Sequence, residues 1–197
     1  RQLLTLFIYP LIYIYEKMFG LVSDVSLLEL SDTNSSLLKE LSNKAPGTFH
    51  HSINVANLAE ACANEINANA LLSRVGGLHH DIGKISNPSF FTENQLSEQN
   101  PHDNISSKES VEIIKQHVVD GVKLAKNAGV PERVIEFIKT HHGTNLIGYF
   151  YNKEVKSDPE INKVDFRYEG PKPFSVEMAL VMTVSYTHLR AHETIVH

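Results

Sequence analysis

The sequence contains only one cysteine, Cys62, and few basic residues, and each shortage excludes a class of chemistry. One cysteine excludes a disulfide framework and any zinc site built from paired Cys-x-x-Cys motifs, so we expect a reducing compartment and metal ligands of nitrogen and oxygen. The 18 Lys and Arg are outnumbered by 23 Asp and Glu, which gives a formal net charge of −5. Because phosphate polymers are held by excess positive charge, this balance argues against a nucleic-acid polymer as partner, whereas a small anionic ligand in a local site fits it.

The apolar run at the N-terminus, from Leu3 to Tyr15, is shorter than the roughly 20 residues that cross a bilayer, and Pro10 interrupts it. Its tyrosines gather just before Glu16, an arrangement typical of the end of a membrane helix at the interface. We therefore interpret residues 1–20 as the end of a longer membrane segment, with an ordinary surface helix as the alternative.

Residues 21–184 are expected to form one all-α domain. The chain has no βαβ alternation, no internal repeat and no low-complexity segment, and its apolar residues recur at helical spacing. We predict helices over residues 36–43 and 71–81. Between them, a longer helix is marked by an apolar stripe made of Val55, Leu58, Ala59, Cys62 and Ile66, with His51 one turn upstream. Residues 152–173, rich in charge, Gly and Pro, are expected to form a long loop before a final apolar run.

Two further helices have recognisable ends. Ser106 and Glu109 form a capping-box pattern, which predicts the start of a helix that carries His117 on its apolar stripe. Pro131 opens another helix, which finishes at His-His-Gly, residues 141–143.

Histidine is over-represented, with 11 in 197 residues against an average usage of roughly 2%. Five histidines and one carboxylate lie on or at the ends of predicted helices: His51, His80, Asp81, His117, His141 and His142. Taken singly, each histidine is interpreted most simply as a core residue whose ring nitrogens are satisfied by backbone groups. Together they direct polar groups from four helices into one small core, where many atoms lack hydrogen-bond partners unless they share a metal.

A carboxylate beside an imidazole suits a site with two metal ions. Asp81 can bridge two ions, and imidazole is a suitable ligand for transition metals. Two ions roughly 3.5–4 Å apart polarise a phosphoryl oxygen and hold a bridging hydroxide for in-line attack. The pattern therefore predicts phosphoester hydrolysis at a binuclear centre, with Asp81 as a catalytic residue.

Three other residues are candidates for contact with the substrate. Lys84, one turn beyond His80, is placed to offer positive charge to a phosphate in the transition state, and a solvated lysine at a helix end is the equal alternative. Tyr149 and Tyr151 are candidates for an aromatic platform that binds a base, with core packing as the alternative. The remaining histidines of the domain are interpreted as structural: His50, His79 and His102.

Residues 79–84, His-His-Asp-Ile-Gly-Lys, resemble the HD superfamily of metal-dependent phosphohydrolases. The segments APGTFHHS, EQNPHD, HVVDGVKLA, HHGTNLIGYFY and DFRYEGPKP are similar to the membrane-anchored PgpH-type cyclic-di-AMP phosphodiesterases, over roughly residues 1–184. The resemblance implies an HD-domain helical bundle around a binuclear metal site. The implied metal ligands are His51, His80, Asp81, His117, His141 and His142, with Asp81 shared by both ions.

The same resemblance implies an activity and a location. It implies two divalent transition-metal ions, Mn or Fe, and hydrolysis of cyclic-di-AMP to the linear dinucleotide pApA by a metal-bridging hydroxide. Related cyclic-di-GMP enzymes carry a GYP-containing motif after their paired histidines, and its absence here favours adenine by resemblance. In this family a seven-helix membrane region precedes a cytoplasmic catalytic domain, so residues 1–20 are expected to end the last membrane helix at the bacterial cell membrane.

The chain departs from the family pattern near its C-terminus. Where the family has Ala-Asp, whose aspartate is a further metal ligand, this chain has Val184-Ser185. The stretch SYTHLRAHET looks like translated sequencing-adapter read-through, so we expect residues 185–197 to be an aberrant tail without ligands. Two alternatives to a phosphodiesterase stay open: another HD nucleotide phosphohydrolase, and a catalytically impaired module that binds a cyclic dinucleotide.

Overall fold

The structure, a computed structural model, describes residues 2–95 and 99–193. Within these ranges the backbone forms nine α-helices and five short 3-10 helices, and one isolated bridge joins Leu146 to Arg167. The α-helices are α1 (Gln2–Phe19), α2 (Asp24–Leu30), α3 (Ser36–Lys44), α4 (Pro46–Glu65), α5 (Ala70–His79), α6 (Ser107–Asn127), α7 (Glu132–Thr140), α8 (Gly148–Val155) and α9 (Val176–Glu193). The 3-10 helices are Ile82–Ser86, Pro88–Phe90, Thr92–Asn94, Pro101–Asn104 and Lys163–Phe166. The prediction of an all-α fold is confirmed.

The main core forms where α4 and α5 lie side by side, with α3, α7 and α9 packed against them. A Cβ atom on Gly77 of α5 would lie 2.7 Å from the Cα atom of Ala56 in α4, so the absence of a side chain permits this close approach. Large apolar side chains fill the surrounding space, among them Leu38, Leu41, Leu78, Ile82, Ile135, Phe137 and Ile138. This packing positions the turn that follows α5.

The buried face of α4 differs from the predicted stripe. Leu58, Cys62 and Ile66 are exposed, and the helix instead buries His51, Ser52, Val55, Ala56, Ala59 and Ala63. The prediction followed the spacing of apolar residues alone, whereas the close approach of α4 to α5 at Ala56 and Gly77 selects a helix face with small side chains. The stripe was therefore wrong for three of its five members.

A smaller core joins α6, α8 and the 3-10 helix Lys163–Phe166 through Val111, Phe150 and Phe166. The prediction of one long loop over residues 152–173 is wrong in two places, because α8 continues to Val155 and a 3-10 helix forms further on. Burial of the Phe150 and Phe166 rings orders the neighbouring turns despite their charged composition.

The predicted helix ends of α6 and α7 agree with the structure. The Ser106 side chain accepts a hydrogen bond from the Glu109 N–H group, and the Glu109 carboxylate accepts one from the Ser106 N–H group, so the capping box is formed. Pro131 is the N-cap of α7. Gly143, which follows the two histidines after α7, has a φ of +52°, a conformation that favours glycine.

Helix α1 presents a largely exposed apolar surface that includes Phe7, Leu11, Ile14 and Met18. Its Glu16 carboxylate accepts hydrogen bonds from the Ser23 N–H group at 2.6 Å and from the Ser26 hydroxyl at 2.9 Å, beside the start of α2. In the part of the chain that the structure describes, no helix is both long and apolar enough to cross a membrane. The interpretation of residues 1–20 as the end of a membrane segment stays a prediction.

Candidate metal centre

The six predicted metal ligands converge on one buried point from four parts of the fold. They are His51 on α4, His80 and Asp81 in the turn after α5, His117 on α6, and His141 and His142 directly after α7. All are buried except His142, which is partly exposed. Their ligand atoms form two groups, His51–His80–Asp81 and Asp81–His117–His141–His142, and within each group these atoms lie within 4.8 Å of one another.

Asp81 is the residue that the two groups share, and its two carboxylate oxygens face different imidazoles. Oδ1 lies 3.3 Å from Nε2 of His141 and 3.5 Å from Nε2 of His117. Oδ2 lies 3.2 Å from Nε2 of His80 and 3.8 Å from Nε2 of His51. A carboxylate oriented in this way can serve two cations, one on each oxygen.

Three of the imidazoles are oriented by the backbone. Nδ1 of His80 donates to the Gly77 carbonyl at 2.7 Å, Nδ1 of His141 donates to the Ile138 carbonyl at 2.8 Å, and Nδ1 of His117 donates to the Ile114 carbonyl. A carbonyl oxygen only accepts, so each Nδ1 carries the proton and each Nε2 of a neutral ring presents its lone pair to the cluster. Backbone contacts of this kind fix metal-ligating histidines in proteins.

This arrangement leaves polar atoms in the cluster without suitable protein partners. Nε2 of His117 and Nε2 of His141 are 3.3 Å apart, and two neutral rings whose protons are on Nδ1 cannot hydrogen-bond through these atoms. Among the described residues, Asp81 Oδ1 and His142 Nε2 are buried with no hydrogen-bond partner at all. A cation would satisfy all four atoms, so the donor set fits a metal and the cluster is able to bind metal ions.

The electrostatics of the cluster favour the protonation states that a metal requires. Burial lowers the pKa of His117 to about 3, and burial also lowers the pKa of His141 and of His142. Burial on its own would raise the pKa of Asp81, but the positive charge of Lys84 opposes burial and holds that pKa well below its usual range. Neutral imidazoles and an ionised carboxylate are the metal-binding forms of these side chains.

Lys84 is buried beside Asp81 rather than solvated at a helix end, so the surface alternative is wrong. Its Nζ atom lies 3.0 Å from Asp81 Oδ2, 2.7 Å from Glu93 Oε1 and 4.8 Å from the centre of the Phe91 ring. Burial alone would lower the pKa of Lys84, but the attraction of Asp81 and Glu93 outweighs it and raises the pKa above its usual range. Lys84 therefore carries its charge into the cluster, and its role in catalysis stays a prediction.

Comparison with known proteins assigns this arrangement to a family. The model of the HD domain family matches residues 48–183, which include all six predicted ligands. The chain belongs to the HD domain family. It is 47% identical over 168 residues to the cyclic-di-AMP phosphodiesterase PgpH of Listeria monocytogenes and 42% identical over 167 residues to that of Bacillus subtilis. Each match covers 85% of this chain, which spans only 23% and 24% of the two relatives.

A solved structure also resembles this HD domain. It is the crystal structure of the Listeria monocytogenes PgpH HD domain in complex with cyclic-di-AMP, which matches with a TM-score of 0.79 and 45% sequence identity. The match covers 82% of this chain and 75% of that one. The similarity therefore extends over most of the helical bundle described above.

The two tyrosines predicted to bind substrate lie at the smaller core of the HD domain. The Tyr151 ring packs 5.8 Å from that of Phe166, and Tyr149 is 69% exposed beside Phe150. Neither makes a ring contact with a histidine of the metal cluster in the described residues, and their role in binding stays a prediction. Two aromatic side chains that the sequence reasoning missed contact the cluster: Tyr168, and Phe91, whose ring centre lies 5.5 Å from that of His117.

Tyr168 stacks on the ring of His142, with ring centres 4.0 Å apart and planes 11° apart. Its segment is fixed to the loop after α7, because the Tyr168 N–H group donates to the Asn145 carbonyl and the Arg167 guanidinium donates to the Thr144 carbonyl. The segment DFRYEGPKP, which contains Tyr168, resembles the PgpH-type family. Its residue spacing does not predict which side chain Tyr168 contacts.

Ser185 is buried against the metal cluster at the position where the resemblance implies an aspartate. Its Oγ atom lies 3.2 Å from Nε2 of His80 and 3.4 Å from Nε2 of His51. Because Nε2 of His80 is an acceptor, the Ser185 hydroxyl donates to it. The prediction of an aberrant tail over residues 185–197 stays a prediction, and residues 194–197 lie outside the described part of the chain.

The histidines interpreted as structural have backbone partners or lie at the surface. Nδ1 of His79 contacts the Val75 carbonyl at 2.9 Å, and Nε2 of His102 contacts the Phe90 carbonyl at 2.9 Å. His50, which precedes a predicted ligand, is exposed. None of the three belongs to the two ligand groups.

An open cavity of about 770 Å³ lies beside Tyr168. Its walls carry three cationic side chains, Lys108, Lys115 and Arg167, and three carboxylates, Glu112, Asp165 and Glu169. Lys115 and Arg167 already donate to backbone carbonyls of Asp165 and Thr144. Tyr168 lines this cavity and also stacks on His142, whereas none of the six predicted ligands is among the described residues that line it.

Proposed function

We propose that this HD domain is the catalytic domain of a phosphodiesterase that hydrolyses cyclic-di-AMP to pApA. The observation that carries the proposal is the buried Asp81 carboxylate, whose two oxygens face separate groups of imidazoles. The similarity to PgpH proteins supports the choice of substrate, because one of the matching HD domains was solved in complex with cyclic-di-AMP.

The proposed cofactor is a pair of divalent transition-metal ions, Mn or Fe. His51, His80 and Asp81 would hold one ion, and Asp81, His117, His141 and His142 would hold the other. Two such ions supply Lewis acidity and a hydroxide nucleophile at neutral pH. The chain contributes the Asp81 carboxylate that orients both sides of the centre, and the Lys84 ammonium that offsets negative charge on the phosphoryl oxygens.

The cavity beside Tyr168 supports a substrate larger than a mononucleotide. Its volume of about 770 Å³ is within the usual range for small-molecule sites. With one phosphodiester at the cluster, the other half of a dinucleotide would extend into this cavity. Tyr149 and Tyr151 remain candidates for contacts with a base.

The direct test is conversion of cyclic-di-AMP to pApA by the Mn-loaded protein, followed by chromatography. We expect Asp81→Asn and His51→Ala to lower kcat by at least about 100-fold, since each removes a ligand of the centre. His50→Ala is the matched control, because it removes an exposed neighbouring imidazole that faces no ligand group. Two results would contradict the proposal. One is hydrolysis of cyclic-di-AMP by Asp81→Asn at the parent rate, and the other is a preference for another nucleotide in a substrate panel.

A second candidate, a module that binds cyclic dinucleotides without cleaving them, is favoured by one observation. Ser185 offers a neutral hydroxyl between His51 and His80, where the resemblance implies an acidic ligand. Ser185→Asp tests this candidate, with Ser185→Asn as the uncharged control of similar size. Turnover that rises with Asp but not with Asn supports the enzyme. Tight binding of cyclic-di-AMP with no turnover, in both the parent and Ser185→Asp proteins, supports the binding module.

We also propose that residues 1–20 attach the HD domain to the cytoplasmic face of a bacterial membrane. The exposed apolar side chains of α1 support this location. Flotation with phosphatidylglycerol-containing vesicles should carry the protein, and replacing both Phe7 and Leu11 by Ser should reduce the floated fraction. Equal flotation of the two proteins would count against attachment through α1.

A further inference from the structure

A network of polar side chains lies behind Asp81, on the side of Lys84. Glu93 Oε1 accepts hydrogen bonds from the Lys84 ammonium at 2.7 Å and from the Thr48 hydroxyl at 2.9 Å. The Asn94 side chain closes the network, since its Nδ2 donates to Thr48 Oγ1 at 2.8 Å and its Oδ1 accepts from the Thr48 N–H group at 3.0 Å. The Glu93 carboxylate is therefore held from two sides.

The backbone brings these residues together at the start of α4. A Cβ atom on Gly47 would lie 1.7 Å from the Glu93 carbonyl oxygen, so the 3-10 helix Thr92–Asn94 approaches α4 where there is no side chain. Thr48 is completely buried, and the Glu93 side chain is 18% exposed. Glu93 thus fills a specific place in the fold, although it is 45 residues from Thr48 in the sequence.

Lys84 is a buried cation that lies between two carboxylates, those of Asp81 and Glu93. A buried ammonium needs a carboxylate partner, and Asp81 Oδ2 is also a candidate ligand for a cation. An ammonium paired only with Asp81 would withdraw that oxygen from the metal and repel the metal charge. A second carboxylate, 2.7 Å away on the other side, compensates the ammonium without occupying a metal ligand.

We propose that Glu93, fixed by Thr48, is a positioning residue that compensates the charge of Lys84 beside the metal cluster. Metal ions and the Lys84 ammonium can then occupy the same site. The part of this inference that concerns catalysis rests on the proposed phosphodiesterase function. The part that concerns metal affinity does not, because it depends only on charges around Asp81.

A rescue experiment tests this inference through the dissociation constant for Mn²⁺, measured from free Mn²⁺ by electron paramagnetic resonance. Glu93→Gln leaves Lys84 uncompensated, and we expect Mn²⁺ affinity to fall on the order of tenfold. Lys84→Met added to Glu93→Gln removes the repelling charge, so affinity should recover to within about twofold of the parent protein. A double variant that binds Mn²⁺ as weakly as Glu93→Gln would overturn the inference.

Substitutions of Thr48 provide a second test of the inference, and they leave all charges around Asp81 unchanged. Thr48→Val removes the hydroxyl that fixes Glu93 and should weaken Mn²⁺ binding, whereas Thr48→Ser retains the hydroxyl and should not. Equal affinities of the two variants would contradict the role of Thr48, and melting temperatures measured without metal show whether either variant is misfolded.

Measurements of kcat and KM test the same variants independently of Mn²⁺ affinity. With cyclic-di-AMP and saturating Mn²⁺, Glu93→Gln should lower kcat with little change in KM, and it should have no further effect once Lys84 is replaced by Met. Additive losses in the double variant would show that Glu93 does not act through Lys84. If the parent protein does not cleave cyclic-di-AMP, the phosphodiesterase proposal fails, while the Mn²⁺ measurements still decide the role of Glu93.

Discussion

His142 differs from the other imidazoles of the cluster in how its ring is held. Backbone carbonyls accept from Nδ1 of His80, His117 and His141, whereas no hydrogen bond to the His142 ring exists within the described residues. Its ring is instead stacked on that of Tyr168, with ring centres 4.0 Å apart and planes 11° apart, and the ring of His141 lies at the same distance but is tilted by 45°. Stacking therefore replaces the hydrogen bond that normally orients a metal-ligating histidine.

Replacing Tyr168 should therefore change metal affinity. Tyr168→Leu removes the stacked ring, and we expect the Mn²⁺ dissociation constant to rise about two- to tenfold, the equivalent of ~0.5–1.5 kcal/mol for an aromatic pair. Tyr168→Phe keeps the ring and should bind Mn²⁺ like the parent protein. Isothermal titration with Mn²⁺ compares the three proteins, and a loss in Phe as large as that in Leu would show that the hydroxyl, not stacking, is what matters.

The sequence could predict which residues carry metal-binding chemistry but not all of their partners. The histidines and Asp81 are recognisable because they lie at helix ends and on apolar faces, where the local pattern is informative. Glu93 and Tyr168 reach the site from segments without helical period, and Lys84 looked equally suited to solvent. Their contacts depend on how distant segments pack, which a one-dimensional pattern does not contain.

The elements of the fold hold the site through close backbone contacts. A Cβ atom on Gly83 would lie 1.7 Å from the His117 carbonyl oxygen, so the 3-10 helix Ile82–Ser86 lies directly against α6. This contact places Asp81 and Lys84 on one side of the cluster and His117 on the other. The error in the α4 stripe has the same origin, because apolar spacing alone does not show which face of a helix makes a close backbone contact.

Gly83→Ala should therefore disturb both stability and the metal centre. The added methyl group must displace backbone, and we expect a loss of about 1–3 kcal/mol in the free energy of unfolding together with weaker Mn²⁺ binding. Gly148→Ala is the control, since its Cβ atom would have no neighbour within 4 Å. Urea unfolding of both variants checks the expectation, and a Gly83→Ala protein as stable as the parent would contradict it.

At the scale of the whole molecule, the cluster makes the metal-free protein sensitive to acid. Burial lowers the pKa of His117 to about 3 and also depresses the pKa of His79, His141 and His142. Between the ordinary histidine pKa of about 6.5 and these lower values, the unfolded chain binds protons that the folded chain does not. Stability must then fall as the pH falls, and Asp81 adds to the loss at lower pH because its folded pKa is also depressed.

The metal-free protein should consequently lose stability between pH 7 and pH 5. We expect a lower urea midpoint at pH 5, and a smaller change in His117→Gln, which removes one of the buried imidazoles. Circular dichroism during urea unfolding in the presence of a chelator provides the measurement. A midpoint that is constant or rises on acidification would contradict the buried neutral histidines.

Metal binding then links the folded bundle to its proposed activity. Six side chains from four separate parts of the chain come together only in the folded state, so a bound metal stabilises folding as well as supplying chemistry. The charge of Lys84 and the compensation by Glu93 belong to the same centre. The proposed centre therefore requires two cations that share Asp81.

The most direct measurement of that claim is an anomalous difference map from a crystal of the Mn-loaded protein, recorded near the Mn absorption edge. We predict two anomalous peaks, one beside each oxygen of Asp81, with His51 and His80 around the first and His117, His141 and His142 around the second. A single peak, or peaks elsewhere than at Asp81, would contradict the binuclear centre.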